Sequence, residues 1–286
     1  MIKKIFKYLL NQPLIYQRLK KLYNLDNISS SNQIISNCIN ENNWLFSQKK
    51  TGTTLICNTL AFYNSQKLNL NEYNFNYLHK YGVFRELNEK KSHLTFFLDF
   101  LKKNSNPLIQ SHKFYNCNPK CLIITTRNIM DYCVSMYYWD FKHRVKKQNL
   151  SVDQALPYIL EEFCDRYENQ KKAKKNSKAT IIIDYKDLKI NKFDTLSKII
   201  KFIYGSVDEK LLNIAIENSS IEKLKTYEKK IGRAAIAEEG TFVFKSFIRS
   251  GEVGEGKIFF NSSQVNLIET ELKKRNIPID GSLNSN

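Results

Sequence analysis

The feature that most constrains the fold of this chain is a strand-like run that turns abruptly into a helix-like run. Residues 44–46 are apolar and read as the end of a buried strand, and residues 55–63 read as the helix that follows. Gly52 lies between them and allows the backbone to approach a ligand closely. The pattern predicts a strand, a tight loop and a helix, which is a unit of an α/β protein.

The loop itself has the composition of a phosphate-binding site. Thr53 and Thr54 fall in the first turn of the predicted helix, where free N–H groups and the helix dipole attract an anion. The ammonium of Lys50 can neutralise that anion. The loop is not a Walker A sequence, because a Walker A lysine directly follows a glycine whereas Lys50 precedes Gly52 by two positions.

A second unit begins at residues 121–126, a continuous apolar and β-branched run suited to a strand buried on both faces. Arg127 follows at its carboxyl end, where ligands collect in open α/β sheets. Residues 129–139 read as a helix in which Ser135 lies one turn beyond Asp131. Arg127 and Ser135 are therefore predicted to face one site.

Two more strand ends carry residues of chemical interest. Residues 107–111 read as a short buried strand followed by His112, and residues 179–184 read as a strand followed by Tyr185. Both side chains are expected at the edge of the sheet that holds the phosphate-binding loop. The pKa of an unperturbed imidazole is about 6.5, which suits His112 to general-base chemistry.

Together these segments resemble the PAPS-dependent sulfotransferases. Residues 50–54, Lys-Thr-Gly-Thr-Thr, are similar to the family's Pro-Lys-Ser-Gly-Thr-Thr loop, and residues 127–135 are similar to Arg-Asn-Pro-x-Asp-x-x-x-Ser. Residues 249–257 resemble Arg-Lys-Gly-x-x-Gly-x-x-Lys, and residues 185–188 resemble Tyr-Glu-Asp-Leu. His112 matches the histidine of Lys-Thr-His.

The resemblance implies a fold and a set of roles. The fold is a single α/β domain with a central, mainly parallel sheet flanked by helices, of the P-loop-NTPase-like sulfotransferase type. His112 is the implied general base, and Lys50 stabilises the leaving oxygen. PAPS (3′-phosphoadenosine 5′-phosphosulfate) is the implied sulfuryl donor, PAP is the product, and no metal is required. The implied PAPS-binding residues are Lys50, Thr51, Gly52, Thr53, Thr54, Arg127, Ser135, Tyr185, Arg249, Ser250 and Gly251.

Among the departures of the chain from the family pattern, five bear most on nucleotide binding. Leu55 stands where the family has a tryptophan that stacks on adenine, and Gln110 stands where it has a lysine. Ile129 replaces a proline, Ser250 a lysine and Gly256 a tryptophan. We therefore expect weaker stacking on adenine and a nucleotide loop that binds less tightly or closes differently.

The bulk properties fit one domain over residues 1–286. Glycine and proline are scarce and no linker or repeat is present. We expect an N-terminal helical segment over 1–35 and a lid with a nucleotide-binding loop over 226–260. The net charge of +17 favours anionic ligands, but the basic residues are scattered, so nucleic acid is not an expected partner.

The expected location is the cytoplasm. The apolar run in the amphipathic N-terminus is too short to span a bilayer, so stable membrane insertion is not expected. The six cysteines are expected to be reduced core residues. A homodimer is left open. The expected acceptor is the hydroxyl, or less often the N–H, of a small molecule such as a secondary metabolite, while glycan, lipid and protein-tyrosine acceptors stay open.

Two other functions remain open from the residues alone. A P-loop-type nucleotide kinase would share the strand, loop and helix but would need ATP and magnesium. A catalytically degenerate protein would keep the nucleotide loops without turnover.

Overall fold

The computed structural model of the chain describes most of the predicted motifs. The described residues are 31–68, 75–85, 87, 91–142, 150–231 and 251–283. The predicted N-terminal segment therefore lies outside them except for residues 31–35, which open the first helix.

A five-stranded sheet forms the centre of the fold. Its strands are β1 (Asn43–Ser47), β2 (Val83–Phe84), β3 (Leu108–Ser111), β4 (Cys121–Thr126) and β5 (Thr180–Asp184). The order across the sheet is β2-β3-β1-β4-β5, and every neighbouring pair is parallel. The predicted α/β fold with a parallel central sheet is confirmed.

Helices cover both faces of this sheet. The α-helices are α1 (Ser31–Asn40), α2 (Thr53–Lys67), α3 (Lys91–Lys103), α4 (Ile129–Met136), α5 (Val152–Asn176), α6 (Tyr185–Ile190), α7 (Lys192–Tyr204), α8 (Glu209–Asn218), α9 (Ile221–Ile231), α10 (Gly256–Phe259) and α11 (Ser262–Lys274). A 3₁₀ segment spans Phe75–Tyr81, and a π-helical segment spans Tyr137–Lys142.

The alternation of side chains along the central strands builds two cores. Trp44 and Phe46 of β1 pack into one apolar cluster with α1, α3, α4, α5 and α11, while Leu45 packs into the other with α2, α7 and α8. On β4, Leu122 and Ile123 divide in the same way. Burial on both faces explains why these strands are continuous apolar runs instead of alternating ones.

The strand order brings the predicted site residues to one edge. β1 lies between β3 and β4, so the loop after β1 is flanked by the carboxyl ends of both neighbours. His112 follows β3, Arg127 follows β4, and Tyr185 opens α6 directly after β5. The fold thus gathers four separate sequence segments into one crevice.

The structure corrects several boundaries. The helix predicted over 129–139 ends at Met136, and a π-helical segment takes over at Tyr137. Residues 226–231 of the predicted lid belong to α9, and residues 232–250 lie outside the described part. The cap of α11 is Asn261, whose side chain accepts from the N–H of Gln264 at 3.0 Å.

All six cysteines are buried thiols, as predicted. None of the helices in the described ranges combines the length and apolarity needed to cross a bilayer.

Candidate active site

The loop after β1 turns sharply through two left-handed residues. Lys50 has φ 62° and Gly52 has φ 90° with ψ 4°, and Gly52 is the residue that precedes the first turn of α2. Alternating left- and right-handed backbone directs successive N–H groups toward one point, which makes a concavity for an anion. The backbone geometry of this loop therefore suits an anionic group.

Gly52 is required by its surroundings as well as by its backbone. A Cβ atom at this position would lie 2.5 Å from Cδ2 of Leu188 and 3.2 Å from Cδ2 of Tyr185. Helix α6 therefore presses directly against the loop. This contact brings the end of β5 next to the end of β1 across the intervening strand β4.

The three threonines of the loop have different environments. The hydroxyl of Thr51 donates to the carbonyl of Gln48 at 2.7 Å and lies 2.6 Å from the hydroxyl of Thr125, so it ties the loop to β4. The buried hydroxyl of Thr53 has no hydrogen-bond partner among the described residues. Thr54 is half-buried in the first turn of α2. An orphan hydroxyl beside free helical N–H groups fits an anion as its partner.

Arg127 joins three parts of the crevice. Its Nη1 donates to the carbonyl of Lys50 at 2.8 Å, and its Nη2 donates to the carbonyl of Glu252 at 3.1 Å. The guanidinium lies 4.2 Å from the ring centre of Tyr185, whose hydroxyl donates to the carbonyl of Gly251 at 3.0 Å. The loop after β1, the end of β4 and residues 251–256, here called the glycine-rich loop, thus meet at one arginine.

Asp131 fastens the glycine-rich loop from the other side. Its Oδ2 accepts from the N–H of Gly254 at 2.7 Å, and its Oδ1 accepts from the N–H of Gly256 at 2.9 Å. Asp131 is 3% exposed, so both bonds are shielded from water. The sequence placed Asp131 one turn before Ser135 but gave it no role, because its partners are backbone groups about 120 residues away along the chain.

The departure at Gly256 has a physical reason. A Cβ atom there would lie 2.4 Å from Cβ of Met130 and 2.8 Å from the backbone nitrogen of Asp131. Helix α10 therefore packs backbone to backbone on α4. No side chain fits at this position in this chain.

His112 is held with one ring nitrogen engaged. Nδ1 lies 2.8 Å from the carbonyl of Ser47, so Nδ1 carries the proton and donates, which leaves Nε2 with a lone pair. Burial lowers the pKa of His112 to about 3, with Arg166, Lys49 and Arg85 acting in the same direction and the Ser47 hydrogen bond opposing them. The imidazole is therefore neutral near pH 7 with a lone pair on Nε2, and its lowered pKa makes it a weaker base than an unperturbed imidazole.

An ion-pair network between α5 and the loop after β1 supports this histidine. Glu162 accepts from Lys49 at 3.1 Å and from Arg166 at 2.9 Å, and Nη1 of Arg166 donates to the carbonyl of His112 at 2.5 Å. Burial raises the pKa of Glu162, but Lys49 and Arg166 outweigh it, so the pKa lies below its usual value. Sequence reasoning missed this network, although the Glu162–Arg166 spacing of four residues on a helix is a signal for an ion pair.

The aromatic run after α4 divides between core and surface. Tyr137 is buried, and its hydroxyl donates to the carbonyl of Leu150 at 3.2 Å. Tyr138, Trp139 and Phe141 are half-buried against the same core. The ammonium of Lys50 lies 4.6 Å from the ring centre of Trp139, which is a cation–π distance.

Two predicted site residues cannot be placed. Arg249 and Ser250 lie outside the described residues, while Gly251 is described at their boundary with φ 73°. Ser135 lies on α4, one turn beyond Asp131, and is 9% exposed. Within the described ranges no group of three or more His, Cys, Asp or Glu side chains is arranged to hold a metal ion.

Comparison with known proteins decides the family. A family model described as the sulfotransferase domain matches residues 40–275, which includes every strand of the sheet. The chain belongs to the sulfotransferase-domain family. The resemblance drawn from the loops after β1 and β4 is therefore confirmed.

Solved sulfotransferase structures resemble this chain in fold. A mouse sulfotransferase, SULT7A1, crystallised with PAP, is 18% identical, with a TM-score of 0.56 over 83% of this chain and 84% of that one. Retinol dehydratase crystallised with androsterone and PAP is 14% identical, with a TM-score of 0.52 over 91% of this chain and 84% of that one. Its complex with retinol and PAP gives 15% identity and a TM-score of 0.52 over 92% and 86% of the two chains.

Proposed function

We propose that this protein transfers a sulfuryl group from PAPS to a hydroxyl, or less often an N–H, of a small molecule. The observation that carries the proposal is the contact of Arg127 with both the carbonyl of Lys50 and the glycine-rich loop. A nucleotide with phosphates at both ends needs cationic groups at both ends of one crevice, and this contact joins the Arg127 guanidinium to the loop that carries the Lys50 ammonium.

The residues of the crevice fit such a nucleotide. The left-handed turn at Lys50 and Gly52 and the orphan hydroxyl of Thr53 suit the phosphosulfate end. Arg127 and Ser135 suit the phosphate on the ribose, because a guanidinium fork matches a phosphate dianion. Tyr185 would hold the adenine side. The crystallised relatives carry PAP, which supports the same ligand here.

The chain supplies a base and charge stabilisation. PAPS, when bound, provides an already activated sulfuryl group with PAP as the leaving group. Nε2 of His112 accepts the proton of the attacking hydroxyl. The ammonium of Lys50, with the N–H groups of Gly52, Thr53 and Thr54, stabilises negative charge on the leaving oxygen. Because the residues mainly hold two reactants in line, positioning contributes much of the rate, as it does in phosphoryl transfer.

The proposal includes the remaining expectations about setting. The enzyme acts as one domain in the cytoplasm, without a metal, without nucleic acid and without membrane insertion, and a homodimer is compatible with it. Arg249 and Ser250 complete the nucleotide site. The crystallised retinol dehydratase holds androsterone or retinol, which supports a small-molecule acceptor here.

Thermal unfolding with PAP and with ATP-magnesium tests the proposal. At about 100 times its Kd a specific ligand adds roughly 2.7 kcal/mol to the free energy of unfolding. We expect PAP in EDTA to raise the Tm by several degrees and ATP-magnesium to leave it unchanged. The reverse result would favour a nucleotide kinase.

A variant at His112 separates binding from chemistry. His112→Ala should abolish turnover while PAP affinity stays close to that of the wild type, since the proposed role places the ring beside the acceptor and not beside the nucleotide. Loss of PAP affinity in this variant would contradict its assignment as base. Normal PAP affinity in the wild type without turnover of any acceptor would favour the catalytically degenerate protein.

A further inference from the structure

Gln170 is a buried glutamine beside the carboxyl ends of β1 and β4. It lies on α5 and is 0% exposed, so its primary amide is shielded from water. Burial of an amide costs free energy unless its two N–H groups and its oxygen are hydrogen-bonded. The hydrogen bonds of Gln170 therefore identify the segments that it holds together.

The amide of Gln170 joins three segments. Nε2 donates to the carbonyl of Phe46 in β1 at 3.4 Å and to the carbonyl of Thr125 in β4 at 3.2 Å. Oε1 accepts from Nε2 of Gln48, the first residue after β1, at 3.0 Å. The two strands are paired up to Ser47, which is opposite Thr125. Gln170 thus bonds both strands at the point where they separate, and it also bonds the loop after β1.

Gln48 extends this support to the turn in the loop. Gln48 is 3% exposed, and its carbonyl accepts from the hydroxyl of Thr51 at 2.7 Å. Because that bond uses the single hydroxyl hydrogen of Thr51, Thr125 is the donor in the 2.6 Å contact between the two threonines. Thr51 lies between the two left-handed residues, Lys50 and Gly52. The hydrogen bonds therefore lead from α5 to the middle of the turn that suits an anion.

The backbone of this turn needs such support. Lys50 has φ 62°, a left-handed conformation that is unfavourable for a residue with a Cβ atom and persists only where the surrounding structure holds it. Arg127 holds the carbonyl of Lys50 at 2.8 Å, while the bonds from Gln48 and Thr125 hold the next residue, Thr51. Two adjacent residues of the turn are thus fixed by different parts of the fold.

Gln170 continues a polar stripe along α5. Glu162 and Arg166 precede it at intervals of four residues, so the three side chains lie along one face of the helix. Glu162 pairs with Lys49 at 3.1 Å, and Arg166 donates to the carbonyl of His112 at 2.5 Å. One face of α5 therefore contacts both the loop after β1 and the residue proposed as the base.

We propose that Gln170 is a positioning residue, which holds the loop after β1 in the shape that binds the 5′-phosphosulfate end of PAPS. The inference rests on the proposed sulfuryl transfer and adds a residue that acts on the nucleotide only through Gln48 and Thr51. Loss of the Gln170 amide leaves two strand carbonyls and the Gln48 amide without that partner. The turn then loses its fixed shape, although the sheet remains.

Gln170→Met tests the proposal, because methionine has a similar length and volume but no amide. We expect the Kd for PAP to rise about tenfold, since small displacements of a binding group are costly. Titration calorimetry measures this Kd at a temperature at which the variant is folded, as circular dichroism verifies. A substitution that only loosened the core would lower the Tm and leave the Kd of the folded protein unchanged.

Gln264→Met is the matched control. Gln264 lies on α11 and is 8% exposed, and its amide is also bonded at both ends. Its Nε2 donates to Asp153 at 2.7 Å, and its Oε1 accepts from the N–H of Asn261 at 3.1 Å. Neither partner belongs to the loop after β1. The control should therefore lower the Tm but leave the Kd for PAP within about twofold of the wild type.

A double-mutant cycle shows whether Gln170 acts through Gln48. Gln48→Met alone should raise the Kd for PAP about threefold to tenfold, because it removes the link between α5 and the turn. Both substitutions break the same connection, so the double variant should bind PAP within about twofold of Gln170→Met. Losses that multiply in the double variant would overturn the route through Gln48.

The remaining outcomes separate this inference from the proposed function. A Kd for PAP close to that of the wild type in both single variants, or one raised equally by Gln264→Met, would overturn the positioning role and leave sulfuryl transfer standing. If Gln170→Met does not fold, Gln48→Met decides alone, because it keeps both strand carbonyls bonded to Gln170. A wild-type protein that binds no PAP would overturn the proposed function and this inference with it, and the Tm measurement with PAP reports that separately.

Discussion

Removal of the Asp131 carboxylate should loosen the glycine-rich loop without disturbing the sheet. Asp131→Ala deletes the acceptor of two backbone bonds, from Gly254 at 2.7 Å and from Gly256 at 2.9 Å. Hydrogen bonds to a charged group contribute about 1.5–3 kcal/mol each. The free energy of unfolding should therefore fall by about 3 kcal/mol, or about 6 °C in Tm for a chain of this size.

The same variant should weaken binding of PAP. Arg127 and Tyr185 both bond carbonyls of this loop, at Glu252 and Gly251, so a detached loop leaves both side chains without those partners. We expect PAP affinity measured by titration calorimetry to fall tenfold or more, which corresponds to about 1.4 kcal/mol. Urea denaturation in the absence of ligand measures the stability part.

Two further variants set limits on the effect of removing the Asp131 carboxylate. Asp131→Asn keeps one acceptor oxygen and should lie between the wild type and the alanine variant. Asp153→Ala is the control, because Asp153 is an exposed carboxylate that accepts one bond from Gln264 at 2.7 Å, and its loss should cost about 1 kcal/mol or less. An Asp131→Ala protein within about 0.5 kcal/mol of the wild type and with unchanged PAP affinity would refute the reasoning.

Three other predictions concern the loop, the nucleotide contact and pH. Gly52→Ala should lower the free energy of unfolding by about 2–3 kcal/mol, because its Cβ would meet Leu188 and the backbone has φ 90°. Gly205→Ala, at φ 82° with nothing within 4 Å of its Cβ, should lower it by only about 1 kcal/mol. Equal losses in denaturation experiments would contradict this reasoning. Tyr185→Phe should weaken PAP binding about fivefold by calorimetry, and Tyr185→Leu more, since it also loses the stacking on the guanidinium. Burial lowers the pKa of His112 to about 3 in the folded protein, whereas its pKa in the unfolded chain is about 6.5. Between these two values the unfolded chain binds the proton and the folded protein does not, so the free energy of unfolding falls as the pH drops from about 6.5 toward 3. His112→Gln should flatten that slope in denaturation measured across this range, and an unchanged slope would count against an imidazole held neutral in the folded protein.

The sequence predicted the elements whose signal is local. Strand β4 matches its predicted bounds because burial on both faces demands a continuous apolar run. The loop around Gly52 and the residues that follow β3, β4 and β5 were also predicted, since each stands at the end of such a run. The family resemblance drawn from these segments is confirmed by the match over residues 40–275.

The missed features depend on contacts between distant segments. Nothing near Asp131 in the chain reveals that its partners are Gly254 and Gly256. Glu162 lies on a long helix whose placement beside Lys49 and the carbonyl of His112 follows only from the assembled sheet. The change from α- to π-helix at Tyr137 likewise has no local sequence signal. Tertiary packing decides such features, and a single sequence does not encode them in a readable pattern.

The most direct test of the central claim is a turnover measurement with PAPS and a panel of small-molecule hydroxyl acceptors in EDTA. Mass spectrometry follows PAP and the sulfated product together in the wild type and in Lys50→Ala. We predict that the wild type forms the two products in equal amounts and that the variant forms neither at a comparable rate. Phosphorylated product from ATP and magnesium, with no PAP released from PAPS, would contradict the account.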